Sequence, residues 1–388
     1  MKVLHIITGL GIGGAEQQLR LLLRELPTDS EVVTLTNPGA VAAGIVADGV
    51  RVTDLAMTGN RDIGALPRLT RLVRQGRYDL VHTHLYRACL YGRFAARLAG
   101  VRSVVATEHS LGDAQIEGRP LSQGARALYL AGERLGSATV AVSATVARRL
   151  ERWGVRGDRI HVVPNGIEVG RFGYDPRARR AARARLGLPQ DAFVVGGVGR
   201  LAATKRFGTL VQAVAGLPDA HLLLVGEGPE RAGLLRLAAQ RGAEHRTLLP
   251  GACEDPPGSG TAPGSDLPSL LAAMDVFVST SPEEAFGLAV VEALAAGLPV
   301  LHAACPALQD LPAQAAPGAR GISGSIAELT AELAAEQKRF RGRDAHRLPV
   351  PAAAHHYDIS RSAHQLMAVY EHTVGGPHPT PDRTPSEK

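Results

Sequence analysis

The feature that most constrains this chain is an alternation of short apolar, β-prone runs with helix-like segments, carried through twice. In the first half the runs are Val3–Ile7, Val32–Leu35, Leu80–His84, Val104–Thr107 and Thr139–Val142. A helix is expected over Ala15–Leu26, because Ala15, Leu19, Leu22, Leu23 and Leu26 share one face. After the turn Pro164-Asn165-Gly166 a second series begins, with Phe193–Val198, Ala220–Val225, Thr247–Leu249, Val276–Ser279 and Val300–His302. Strands that alternate with helices pair in parallel through helical crossovers, which predicts doubly wound α/β sheets. Two such domains in tandem follow, with the boundary near residues 165–190. Pro256–Pro268 is rich in Pro, Gly and Ser and reads as a surface loop insertion, and Gly375–Lys388 as a disordered tail.

Length agrees with two cores: 388 residues exceed one ordinary domain, and 45% hydrophobic content can fill both. No apolar run reaches the ~18 residues of a membrane span. Met1–Ile7 runs straight into glycines without a signal-peptide cleavage pattern, so the expected location is the cytoplasm. Cys89, Cys253 and Cys305 form no CxxC and imply neither a disulfide framework nor a zinc knuckle. The charge of +6 suits anionic ligands or a membrane surface, while 4% aromatics argues against base stacking and hence against nucleic acid.

Gly9-Leu10-Gly11-Ile12-Gly13-Gly14 satisfies GxGxxG between a strand and a helix. A nicotinamide site would also want an acid closing the second strand, where this chain has Thr36-Asn37. What remains is a glycine loop at a helix N-terminus, able to offer backbone N–H groups to a phosphate or polar ligand, or else a turn with only a packing role. His82, His84 and His109 end neighbouring strands. No metal motif accompanies them; His109 is expected to line the cleft, and His82 and His84 are as readily structural.

Arg200 and Lys205 follow the first strand of the second series, where two cations can neutralise a diphosphate; the alternative is a solvated pair. Val225-Gly226-Glu227-Gly228-Pro229 ends the next strand in a tight turn placed for a base or ribose. Arg177–Arg185 holds five arginines in nine positions and reads as the solvated face of a helix rather than a lipid or nucleic-acid contact. Arg61–Arg77 spaces arginines around Ile63, Leu66, Leu69, Leu72 and Val73, a basic amphipathic pattern that is either a packed helix or a rest for anionic lipid.

Glu284 and Glu292 stand eight residues apart along a helix that begins near Gly287. A glycosidase needs its two acids ~5–9.5 Å apart across one bond. Eight helical residues rise ~12 Å, too far for that work. The spacing suits a long ligand with hydroxyls at both ends and a negative middle, and a sugar nucleotide fits. One acid would hold the hexose and the other the ribose, with the Gly287-Leu288-Ala289 amides turned to the diphosphate.

Together, Gly13-Gly14-Ala15-Glu16, Val163-Pro164-Asn165-Gly166-Ile167, Val198-Gly199-Arg200-Leu201 with Lys205, Gly226-Glu227-Gly228, Glu284-Ala285-Phe286-Gly287-Leu288 and Glu292-Ala293-Leu294-Ala295-Ala296-Gly297 resemble the retaining glycosyltransferases of family 4 over nearly the whole chain. The resemblance implies the GT-B architecture, two Rossmann-like doubly wound domains facing a cleft. Residues 1–170 would form the acceptor side and 171–350 the nucleotide-sugar side, with a C-terminal helix over 351–374 crossing back to the first domain. It implies that Arg200 and Lys205 bind the donor diphosphate, Glu292 the ribose and Glu284 the transferred sugar. Gly13 and Gly14 would face the reaction centre and His109 the sugar, while Gly226, Glu227, Phe286, Gly287 and Leu288 complete the donor site.

Glu283-Glu284-Ala285 departs from the family's Glu-Gly before Phe, and Cys253–Asp266 enlarges the loop that frames the base. No Asp-x-Asp occurs, so catalysis is expected to need neither metal nor cofactor. The implied activity is metal-independent transfer with retention from a nucleotide sugar, UDP-linked before GDP-linked, to a hydroxyl of a glycan, glycolipid or small molecule, in the cytoplasm or at the inner membrane face. A sugar-nucleotide epimerase and a non-catalytic nucleotide-sugar-binding homologue remain as alternatives.

Overall fold

The computed structural model of the chain describes all residues except 60, 61, 113, 114, 117, 118, 121, 254–265, 342–346 and 376–388. Most of the expected Pro256–Pro268 insertion, the tail beyond Gly375 and Arg61 of the basic pattern therefore lie outside the described residues.

The first half forms β1 (Lys2–Ile7), β2 (Asp29–Thr34), β3 (Arg51–Asp54), β4 (Leu80–His84), β5 (Val104–Glu108), a short antiparallel pair β6 (Gln115–Ile116) and β7 (Arg119–Pro120), β8 (Ala138–Ala141) and β9 (Ile160–Val162). Seven of these make one parallel sheet in the order β3-β2-β1-β4-β5-β8-β9. The second half forms β10 (Phe193–Val198), β11 (Ala220–Val225), β12 (Thr247–Gly251), β13 (Val276–Ser279), β14 (Val300–His302) and β15 (Ala319–Gly321), in the order β12-β11-β10-β13-β14-β15. Central strands are buried on both faces, which is why β1, β5 and β10 are mostly apolar, whereas β4, equally buried, carries His82, Thr83 and His84. The unforeseen β3, β9 and β15 are three or four residues long, half-exposed and at sheet edges, where burial imposes no apolar pattern.

Two segments pass between the domains side by side. Ile167 N donates to Tyr357 O at 2.8 Å, and Ile359 N donates back to Ile167 O at 3.0 Å. Gln18, buried on the first helix, accepts from Gly166 N at 3.0 Å. The last helix, Ile359–Gly375, then lies on the first sheet, burying Ile359, Ala363, Leu366, Val369 and Tyr370 against Val3, Leu80, Val105 and Val140.

Of two basic segments, one departs in part from its sequence reading and the other follows the packed-helix alternative. Helix Pro176–Leu186 leaves Arg177, Arg180 and Arg185 exposed but not Arg179 and Arg183, which are buried, each 2.7 Å from a different oxygen of Asp275. Helix Ala65–Gly76 packs Leu69 and Val73 into the first core, so its apolar stripe is spent on the fold while Arg68, Arg71 and Arg74 stay exposed. No helix among the described residues is long and apolar enough to cross a membrane.

Candidate active site

In both sheets the winding direction reverses between two central strands, β1 and β4 in the first and β10 and β13 in the second. The loops leaving such a pair diverge and open a crevice at the carboxyl ends, the usual ligand site of open α/β sheets. The sequence-derived candidates sit on these loops.

In the second domain the loops after β10 and β13 are fastened together. Thr280 Oγ1 donates to Lys205 O at 2.7 Å, and Ser281 Oγ to Thr204 O at 3.4 Å. This brings Lys205 Nζ within 2.5 Å of Glu284 Oε1, in a pair that is partly exposed. Arg200 is exposed on the same loop as Lys205. Gly226 runs backbone to backbone with that loop: at φ +147°, a Cβ there would lie 2.0 Å from Gly199 O. Leu201 N donates to Glu227 O at 2.9 Å, which sets Glu227 beside Arg200's loop.

Gly287 starts helix Leu288–Ala295 with φ +103°, and a Cβ there would meet Cys305 Sγ at 2.6 Å. Phe286 is buried edge-on to Tyr357, with ring centroids 4.9 Å apart, and anchors the loop from below. Glu292 lies on the second turn of the helix, whereas Glu284 stands outside it in the preceding loop. The straight-helix ruler applied to the two acids therefore holds only from residue 288 onward.

From the first domain, Gly13 caps helix Gly14–Glu25 with Glu16 folded over it. Gly14 faces the other domain, since a Cβ on it would come within 3.3 Å of Leu288 Cδ1. His109, just past β5, is buried, with Nε2 3.1 Å from His84 Nδ1. Gly14 and Leu288 are thus brought together, as are Lys205 and Glu284.

Several residues were not singled out from sequence. Arg149 donates to Glu284 O at 3.1 Å and lies 3.1 Å from Glu283 Oε1, tying the first domain to the acid-bearing loop. Ser143 accepts from Val146 N at 3.1 Å as a helix cap and donates to Ala285 O at 2.6 Å. Asp310 accepts from Ala144 N at 3.0 Å. Ser143 was readable as a cap, but nothing local announces that it reaches across domains.

His5, also missed, extends the histidine group. Its Nδ1 is 3.2 Å from His84 Nε2, while His82 is held between Tyr370 Oη at 2.6 Å and Thr107 Oγ1 at 2.7 Å. Nitrogens of His5, His82 and His84 lie within 4.8 Å of one another, a spacing a metal could use, yet both nitrogens of His82 and of His84 are engaged in hydrogen bonds.

Burial holds these rings neutral, pushing His109 down to about 4, His5 to about 3, and His82 and His84 well below the ordinary value. Unfolded, they protonate near 6.5, so the unfolded chain binds more protons below that pH. Stability is thus full above pH 6.5 and is lost as pH falls towards 3. Thermal melts at pH 7 and pH 5 should differ by several degrees, and an unchanged Tm would contradict neutral buried imidazoles.

The model of glycosyltransferase family 4 matches residues 12–171, and that of the group 1 glycosyl transferases residues 178–335. A 2-deoxystreptamine glucosyltransferase of Streptomyces kanamyceticus is 32% identical over 281 residues, covering 68% of this chain and 70% of that protein. A D-inositol 3-phosphate glycosyltransferase of Mycobacterium bovis is 29% identical over 97% of this chain and 79% of its own length. Among solved structures, Anabaena HepE in complex with UDP and glucose superposes with a TM-score of 0.81 at 23% identity, over 95% of this chain and 98% of that one. With one model on each half, a relative above 30% identity across two thirds of both chains, and two doubly wound sheets whose loops meet at a cleft, this chain belongs to glycosyltransferase family 4 and has its GT-B architecture.

Proposed function

We propose that the protein transfers a hexose or N-acetylhexosamine from a nucleoside diphosphate sugar, UDP-linked in preference to GDP-linked, to a hydroxyl acceptor with retention and without a metal. The observation that carries this reading is the Lys205–Glu284 ion pair at 2.5 Å at the β10/β13 crevice. A diphosphate beside Lys205 would take over its charge and free the Glu284 carboxylate to accept from sugar hydroxyls. Arg200 adds a second cation, and the amides at Leu288 and Ala289 add the positive end of a helix. These charges act most on the oxygen that gains charge as the nucleotide leaves. His109 and the Gly13-Gly14 loop would line the sugar from the first domain. The acceptor hydroxyl then attacks from the leaving-group side, giving its proton to the departing phosphate.

The two relatives named above act on 2-deoxystreptamine and inositol 3-phosphate by their names, and HepE holds UDP and glucose. A UDP-sugar and a polyhydroxylated acceptor of glycan, glycolipid or natural-product type are the reading they support. Contact with anionic lipid from the cytoplasmic side would rest on the exposed Arg71 and Arg74, since Arg68 is already paired with Asp62 at 2.8 Å.

Two measurements test the assignment. Glu292→Ala should raise the donor KM about tenfold through lost ribose contacts while kcat stays within a few-fold. An unchanged KM would remove Glu292 from the donor site. EDTA should leave activity intact, because fixed cations do the work of a metal; complete loss restored by Mn²⁺ or Mg²⁺ would overturn the metal-free reading.

A further inference from the structure

We propose that His84 and His5 are positioning residues that couple the tautomer of His109 to their own through one hydrogen-bonded chain of three rings. The inference rests on the reading that His109 faces the sugar.

Each link joins Nδ1 of one ring to Nε2 of another: His84 Nδ1 to His109 Nε2 at 3.1 Å, and His5 Nδ1 to His84 Nε2 at 3.2 Å. Beyond His5, its Nε2 meets Ser30 Oγ at 3.5 Å, and Ser30 Oγ meets Thr28 Oγ1 at 2.8 Å. A neutral imidazole has one donor and one acceptor, and each link needs one proton. Burial keeps the rings neutral, so the polarity of one link dictates the next. All three rings are then Nδ1–H, or all three are Nε2–H. At the far end Ser30 can donate or accept, so neither state is barred there.

At the near end, His109 Nδ1 is buried with no hydrogen-bond partner among the described residues. In the first state that atom is a donor and in the second an acceptor. A ligand oxygen that accepts at His109 Nδ1 selects the all-Nδ1–H chain, and a hydroxyl that donates there selects the all-Nε2–H chain. The choice is cooperative because it reorients protons on rings spanning β1, β4 and the loop after β5. His82 stands outside the chain, since its nitrogens are held by Tyr370 and Thr107.

The test is ¹⁵N NMR of the full-length protein labelled at histidine, with and without UDP-glucose, signals being assigned by single substitutions. The large shift between protonated and bare ring nitrogens reads each tautomer directly. His5, His84 and His109 should report the same Nδ1–H fraction in the unsubstituted protein and change it together with UDP-glucose, and in His84→Phe the fractions at His5 and His109 should part. Different Nδ1–H fractions among the three rings of the unsubstituted protein, or equal fractions still shared by His5 and His109 in His84→Phe, would overturn the proposal. If His84→Phe does not fold, the unsubstituted spectrum still decides. Full transferase activity in His109→Ala would remove the sugar-facing reading while leaving the tautomer result standing, so the two failures are distinguishable.

Discussion

Replacing Lys205 by alanine is expected to lower kcat at saturating nucleotide sugar by about 10²- to 10³-fold, the range found when one preorganised electrostatic group is removed from a developing charge. The cation is already in place before the chemical step: Thr280 holds the backbone at Lys205, and the bound diphosphate has taken its ammonium over from Glu284. Little reorganisation is then needed when the leaving group gains charge. Donor KM should change far less than kcat, because the ion is worth most in the transition state. Steady-state kinetics with saturating donor measure this, and a kcat within twofold of the unsubstituted enzyme would refute the role given to Lys205.

Asp275→Ala is expected to cost about 3–5 kcal/mol of stability, the scale for removing one partner of a buried ion pair. The Asp275 carboxylate, almost fully buried, accepts from Arg179 and Arg183 at 2.7 Å each and from Val194 N at 2.8 Å. Arg347, half-buried nearby with its pKa pushed down to about 10 chiefly by burial, donates to the same carbonyls of Ala272 and Met274 that Arg179 uses. Without the carboxylate, three guanidiniums share a pocket of carbonyls with no countercharge. Thermal melts should fall by roughly 10 °C or more, or the protein should fail to accumulate. A drop under 2 °C would mean that the carbonyls alone compensate the arginines. Asp275→Asn, which keeps an acceptor but not the charge, should fall between the two.

The same arginines show where sequence reading stops. Five in nine positions look like a solvated face, and nothing within residues 177–185 reveals that Asp275, about ninety positions on, buries two of them. The sheets were legible because central parallel strands are mostly apolar on both sides, which leaves the pattern in β1, β10 and β11. The loops that carry Arg200, Lys205 and Glu284 were legible because glycines and charges recur where strands end. Arg149 and Ser143 were not, because an arginine on a helix and a serine before one have ordinary local explanations. Their reach to Glu284 and Ala285 is a fact of domain packing alone. His5 was hidden for a similar reason, since it meets His84 only through the side chains of two paired strands 79 positions apart, the register itself setting it opposite His82.

The most direct test of the central claim, that the β10/β13 crevice holds a nucleoside diphosphate sugar without a metal, is calorimetric titration of UDP-glucose in EDTA into the unsubstituted protein, Glu292→Ala and Lys205→Ala. The account predicts saturable one-to-one binding to the unsubstituted protein, weakened about tenfold by Glu292→Ala through the lost ribose contacts and weakened also by Lys205→Ala through the diphosphate. Absence of binding by UDP-, GDP- and ADP-sugars alike, or equal affinity for all three proteins, would contradict it.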